Sequence, residues 1–245
     1  MLWHFIVSGF VKMGEIFTVK GLQMNKAIVG TVLLTGMLLA GCKPEKLDVS
    51  LYTSDIQEAR SGKVLEVPVK LAFSMLGEDK DDDVPRAVEV AKKYLSKDSK
   101  FTQSKGDFGS KLVVETFLPL GTDAALAKAG VLGSAVARLT VRPGEESTAV
   151  SLEPGAALAR MNRELSKISY TLDLNLPAKQ TYFVVNNDLR AVAKVSATAV
   201  HISGKPTLHY RGEIANRRTA EIQFNGCDEC VYGELSATIF VAVAP

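Results

Sequence analysis

Cys227-Asp228-Glu229-Cys230 is the one stretch of this 245-residue chain whose residue types and spacing could do chemistry directly. Two thiols so placed can close a disulfide, shuttle electrons as a redox pair, or supply half of a four-ligand zinc site. His201 and His209 would complete the zinc set. A redox pair has its first cysteine at a helix start, where the thiol pKa is depressed. Here the pair falls between two expected strands, and Asp228 and Glu229 disfavour a thiolate. The zinc reading depends on a hairpin. A three-residue loop Gly204-Lys205-Pro206 sets His201 opposite His209. A two- or four-residue loop sets His201 against Leu208 and sends the imidazoles to opposite faces. Pro206 has no N–H to close a turn, which argues against the two-residue loop only.

No other constellation survives inspection. There is no Gly-x-Ser-x-Gly elbow and no Gly-x-x-x-x-Gly-Lys-Ser/Thr loop. Asp79, Asp81 and Asp83 alternate like a calcium loop, but its glycine would fall at Val84 and its last glutamate at Val90. Gly130-Val131-Leu132-Gly133 reads as a helix stop and turn. Glu145-Glu146 lies in an expected turn, and Arg217-Arg218 reads as a charged strand start. The expectation is therefore a protein that is not an enzyme and needs no cofactor.

The remaining cysteine, Cys42, closes a different pattern. Met24-Asn25-Lys26 is followed by a fourteen-residue apolar run, Ala27 to Ala40, and then by Gly41 and Cys42. A short basic start, an apolar stretch and small residues before the cut make a secretory signal. A membrane span needs about twenty apolar residues, and Lys43, Glu45 and Lys46 prevent an extension downstream. Leu39-Ala40-Gly41-Cys42 resembles the lipobox of bacterial lipoproteins. That resemblance implies diacylglycerol on the Cys42 thiol, cleavage before it and an acylated new amino terminus. It also implies an outer-membrane address, because the position after the cysteine holds Lys43 rather than aspartate. Residues 1–23 precede this signal, and are expected to be an upstream start or an extended n-region. Residues 24–41 are the signal peptide, and 42–50 the lipidated cysteine and tether.

Three of the 29 Lys and Arg and one of the 27 Asp and Glu precede Cys42, which leaves 26 of each sign after it. That balance argues against nucleic acid as a partner, whose footprint is a basic excess. Export also bears on Cys227 and Cys230. An even pair in an oxidising compartment favours the disulfide, with zinc and redox chemistry as alternatives.

The elements that must position these residues follow from periodicity. Leu47 to Tyr52 alternates as a strand, and Thr53-Ser54-Asp55 offers a helix cap before a brief turn through Arg60. Lys63 to Ser74 is a strand in which Pro68 points to an edge or a bulge. Val84, Val88, Ala91 and Leu95 share one helical face after Pro85. Lys111 to Leu120 returns as a strand, and Thr122 or Asp123 caps a short helix to Ala129. Ala135 to Val141 and Thr148 to Leu152 are strands around a Pro-Gly turn. Leu158, Met161, Leu165 and Ile168 mark a second helix from Pro154. After Ile168 only period-two patterns remain: 170–176, 181–185, 191–202, 207–214, 219–224 and 235–243. Short links such as Asn186-Asn187-Asp188 suggest an antiparallel meander.

The fold class is therefore α+β, with one or two helices packed on strands, followed by a largely antiparallel β half. Residues 51–245 form this globular region, with a division near 167 or a single shared sheet. Lys46 to Val69 is also similar to small uncharacterised lipoproteins of enterobacterial and phage genomes, through Tyr52-Thr53-Ser54-Asp55 and Gly62-Lys63-Val64. The functional expectation is a non-enzymatic binding or structural module, held at the periplasmic face of the outer membrane through Cys42 and meeting an envelope protein partner. The alternative is a zinc-binding or thiol-redox protein using Cys227 and Cys230.

Overall fold

The computed structural model describes residues 46–76, 83–106, 109–168, 174, 176, 178, 180–225 and 237–243. Most of them are strand, joined by a few short helices. The strands are β1 (Lys46–Tyr52), β2 (Leu65–Leu76), β3 (Lys100–Gly106), β4 (Gly109–Gly121), β5 (Ala137–Pro143), β6 (Thr148–Pro154), β7 (Gln180–Asn186), β8 (Ala193–Ile202), β9 (Lys205–Ile214), β10 (Thr219–Asn225) and β11 (Thr238–Val243). The helices are α1 (Thr53–Arg60), α2 (Asp83–Tyr94), α3 (Asp123–Lys128), α4 (Val131–Ser134) and α5 (Ala156–Leu165).

Nine strands close into one mixed barrel in the order β10-β7-β1-β2-β4-β5-β6-β11-β8, with β8 returning to β10 through Gln223 and His201. β3 and β9 hang outside this ring, on β4 and β8 respectively. Two neighbours are parallel: β1 with β7 along seven residues, and β4 with β5 at Leu120↔Leu139 and Gly121↔Thr140. The coarser reading, strands with a few short helices, thus holds, and the C-terminal strands pair mostly antiparallel. The finer one is corrected, since five short helices stand among the described residues rather than one or two, and the strands of both halves share one closed mixed barrel. The meander does not hold. β7 lies between β1 and β10, and β8 between β11 and β9. Alternation fixes which face of a strand is buried but says nothing about which neighbour supplies its backbone partners. Strands from both sides of residue 167 interleave around the ring.

Period-two alternation is what fills the barrel. Leu47, Val49 and Leu51 of β1, Val67 and Val69 of β2, and Phe183 and Val185 of β7 all point inward and are buried. Leu139, Val150, Ile222 and Ile239 do the same from the other strands. These side chains form one buried core inside the barrel. α1 lies against β1, β4, β5 and β6 and buries Ile56 and Ala59, so it plugs one mouth. It is a full two-turn helix rather than a brief turn. α2 and α5 pack on each other, tied by Lys93 and Tyr94 to Glu164 at 2.8 and 2.6 Å.

Several local expectations hold. Thr122 caps α3, its Oγ1 accepting from the Ala125 amide at 3.3 Å. Gly130, at φ +72°, ends that stretch in the left-handed region glycine tolerates. Pro68 lies where β2 has become an edge on one side: its ladder with β1 stops at Val49↔Val69, beside the proline, and only β4 pairs with it there. Others are corrected. β3 was not expected, because Lys100-Phe101-Thr102-Gln103-Ser104 carries little apolar alternation; its partner β4 holds it. In the expected strand 170–176, the described Leu174 is not in a strand. It is buried, and its amide and carbonyl both bond to the Asn162 side chain of α5.

At α5 the chain makes a close approach that only glycine permits. A Cβ on Gly155 would stand 2.1 Å from the Ala135 carbonyl oxygen, while the Gly155 amide donates to Val136 O at 2.8 Å. The helix start is thereby pressed onto the strand entry at 135–136.

Candidate functional site

The two histidines come apart in the folded hairpin. β8 and β9 are joined by a two-residue turn, Ser203-Gly204, with both residues at positive φ, as the right-handed strand twist favours. Ile202↔Lys205 closes it, so Pro206 is not asked for the closing bond. His201 then faces Pro206 and His209 faces Thr198, about three strand residues or ~10 Å further along. None of the three loops considered from the sequence has this register, because the turn is centred one to one and a half residues earlier. His201 instead reaches β10, where its Nε2 lies 3.4 Å from Asn225 Nδ2. Cys42, Cys227, Cys230 and Asp79 and Asp81 lie outside the described residues. Among the described residues no three His, Cys, Asp or Glu side chains gather as metal ligands.

A polar node that the sequence hid stands where β1 turns into α1. Asn187, 1% exposed, donates to Ala191 O at 2.8 Å and Ile214 O at 2.7 Å, and its Oδ1 accepts from the Leu189 amide at 3.1 Å. The Thr53 hydroxyl is 3.0 Å from that same oxygen and 2.8 Å from Asp188 Oδ1. Tyr52, at the N-cap position, contributes no side-chain bond. Asp188 does this work from 134 residues away, accepting from the Ser54 amide at 3.0 Å and the Ser54 hydroxyl at 2.5 Å. The only signal in the sequence was Asn186-Asn187-Asp188, which reads equally well as a turn.

The two carboxylates here shift in opposite directions. Partial burial pushes Asp188 up, but hydrogen bonds from the Ser54 hydroxyl and amide and from Thr53 outweigh it and hold it below the ordinary carboxylate range. Burial, then the charges of Asp188 and Glu58, push Asp55 up. A depressed folded pKa gives stability that is present above the unfolded value and is lost as pH falls through the folded one. Asp188→Asn should therefore melt below the parent at pH 7, and the gap should close as pH drops below about 4. A gap of constant size in thermal melts from pH 7 to pH 3 would show that the carboxylate charge is not what caps α1.

The wall opens outside the barrel where the β1–β2 ladder stops at Pro68. An open groove of about 440 Å³ lies over this seam. Successive rows of outward side chains can be read off the registers. One row runs Lys100, Glu115, Lys70, Asp48 and Tyr182 from β3 to β7. Its charges alternate, with Lys70 3.2 Å from Glu115; Lys46 of the next row lies 3.0 Å from Asp48 and 4.4 Å over the Tyr182 ring. Such exposed pairs add little stability. The row on the other side is different. Phe117 and Pro68 face each other across β4 and β2, and Ser50, Val184 and Glu221 follow across β1, β7 and β10. Phe117 is 36% exposed there. Asp98 stands beside Phe117 in the turn before β3, which Ser99 pins by a 2.7 Å contact with Thr116 Oγ1. The row is apolar in the middle and carboxylate at both ends. The sequence named Pro68 only as a strand irregularity and did not single out Phe117, Asp98 or Glu221.

A third cluster is structural in character. Glu153 on β6 is held between Arg138 at 2.7 Å and Arg142 at 2.5 Å, both on neighbouring β5. Burial raises its pKa, and the Arg142 hydrogen bond and the two guanidinium charges reverse that and lower it. No described helix is long and apolar enough to cross a membrane. Compared with protein families, with curated proteins and with solved structures, the chain matches none of them.

Proposed function

We propose that this chain is a bacterial envelope lipoprotein, anchored through Cys42 at the periplasmic face of the outer membrane. There it serves as a non-enzymatic binding or structural module for an envelope protein partner. The observation that carries this reading is the distance from anchor to wall. Cys42 stands four residues before Lys46, where β1 begins, so at most about 14 Å of chain separates the lipid from the barrel. The expected tether thus shrinks to residues 43–45, and the barrel would ride on the bilayer surface instead of at the end of a flexible stalk.

Lipid labelling and mass test this. Cells expressing the full chain and fed radiolabelled palmitate should label it, and Cys42→Ser should abolish both the label and sedimentation with membranes. The intact mass, measured without reductant, should match a chain that begins at acylated Cys42 and is two hydrogens light for a Cys227–Cys230 disulfide. An unlabelled, unprocessed chain would overturn the anchor. Free thiols or bound zinc would redirect attention to Cys227 and Cys230.

A further inference from the structure

The groove over the β1–β2 seam is the place where the outer wall departs from an ordinary solvated barrel surface. Its apolar centre, Phe117 and Pro68 facing Ser50 and Val184, lies between two carboxylates, Asp98 and Glu221. Of the other acids that line the groove, Asp48 has Lys46 and Glu115 has Lys70. Asp98 and Glu221 make no side-chain hydrogen bond or ion pair among the described residues. Five strand spacings separate them around the wall, on the order of 24 Å along the surface. An unpaired acid at each end of an exposed aromatic patch is complementary to a segment that is cationic at both ends and apolar between them.

We propose that this groove binds an extended segment of a partner protein that carries an apolar side chain flanked by lysines or arginines, in the pattern basic-x-apolar-x-basic. The apolar side chain covers Phe117 and Pro68, and the two cations reach Asp98 and Glu221. Five extended residues span about 14 Å between their end Cα atoms, and two long basic side chains lengthen the reach at both ends. The break in the β1–β2 ladder at Pro68 creates the depression that receives the central side chain. This proposal rests on the reading of the chain as a binding module and names the chemistry of its partner.

The test uses the full-length lipidated chain in detergent and three probes, acetyl-Lys-Ser-X-Ser-Lys amides in which X is Leu, Phe or Tyr. An acetyl-Glu-Ser-Leu-Ser-Glu amide is the control. At least one lysine peptide should bind in a fluorescence anisotropy titration at low salt, and the glutamate peptide should not. Asp98→Asn with Glu221→Gln should weaken binding about tenfold, and Phe117→Ala about as much, without change in the thermal midpoint. Adding 0.5 M NaCl, on the order of a tenfold rise in ionic strength, should erase most of the effect of the charge variant. If no lysine peptide binds, if the glutamate peptide binds equally, or if the three substitutions leave affinity unchanged, the groove assignment is overturned. Palmitate labelling of the same preparation keeps the two claims separate. A labelled protein that fails to bind loses only the groove, and an unlabelled one that binds loses only the anchor.

Discussion

Phe183→Ala is expected to lower the free energy of unfolding by about 3–5 kcal/mol, the range for emptying a fully buried aromatic site. Phe183 is the largest fully buried side chain among the described residues, at 0% exposure, and sits mid-strand in β7. Its backbone neighbours are Val49 on the parallel strand β1 and Ile222 on the antiparallel strand β10. Its ring meets Phe224 edge-on at 5.7 Å and 78°, a geometry that contributes beyond the area buried. The position matters because of what lies next to it. β10 closes the barrel onto β8 through a single backbone pairing, Gln223↔His201, so side-chain packing behind β10 must hold that seam. The urea midpoint should fall while the slope stays at the parent value, and amide exchange should quicken first in β7 and β10. A loss under 1 kcal/mol would mean that neighbouring chains collapse into the space and that the core is less tightly specified than its burial indicates.

Asn187→Ala is expected to cost about 3 kcal/mol although it deletes only a short polar side chain. The substitution leaves the carbonyls of Ala191 and Ile214 and the Leu189 amide without their partner, the Ile214 bond being buried and the other two half-buried. It also leaves the Thr53 hydroxyl, itself fully buried, with Asp188 alone. The backbone bonds of the same residue, to Arg217 and Arg218, would remain and should keep the fold intact. Asn187→Asp separates shape from hydrogen bonding. It keeps the volume but turns a donor of two bonds into an acceptor facing two carbonyl oxygens. The variant should be at least as unstable as Asn187→Ala at pH 7. It should recover as pH falls, because protonation removes the buried charge and restores one donor. Urea unfolding of both variants at pH 7 and pH 5 measures this, and equal stability of Asn187→Ala and the parent would remove Asn187 from its central place.

Much of the strand content was legible because inward and outward positions alternate in the sequence itself. Leu47-x-Val49-x-Leu51 and Thr181-x-Phe183-x-Val185 announce their buried faces, and both are found inside the barrel. The face of α5 was legible from its helical period, with Met161 and Leu165 buried; that of α2 only in part, since Ala87 and Val90 are buried beside Val84 and Ala91 while Val88 and Leu95 are half-buried. The polar node was not, because Thr53 and Asn187 are 134 residues apart and each taken alone is an ordinary turn or cap residue. The histidine geometry was missed by a single residue of turn placement. Ser203 takes the left-handed conformation, φ 50°, which a non-glycine residue adopts only where the strands on both sides enforce it.

The sequence alone determined a short basic start and an apolar run before Cys42, a balanced charge after it, and a set of strands and helices with recognisable apolar faces. The strand and helix patterns depend on residues within a dozen positions of one another, and the charge balance is a count that needs no fold. The tertiary structure decided what lies beside what. β1 is parallel to β7 and separated from it by five other strands in sequence, and β2 leaves β1 at Pro68 to open the groove. Asp98, Phe117 and Glu221 reach one surface from three distant segments. The physical reason is that strand pairing is made by backbone groups common to every residue. Side-chain pattern can say which face of a strand is dry, but only closure of the whole barrel selects its neighbours.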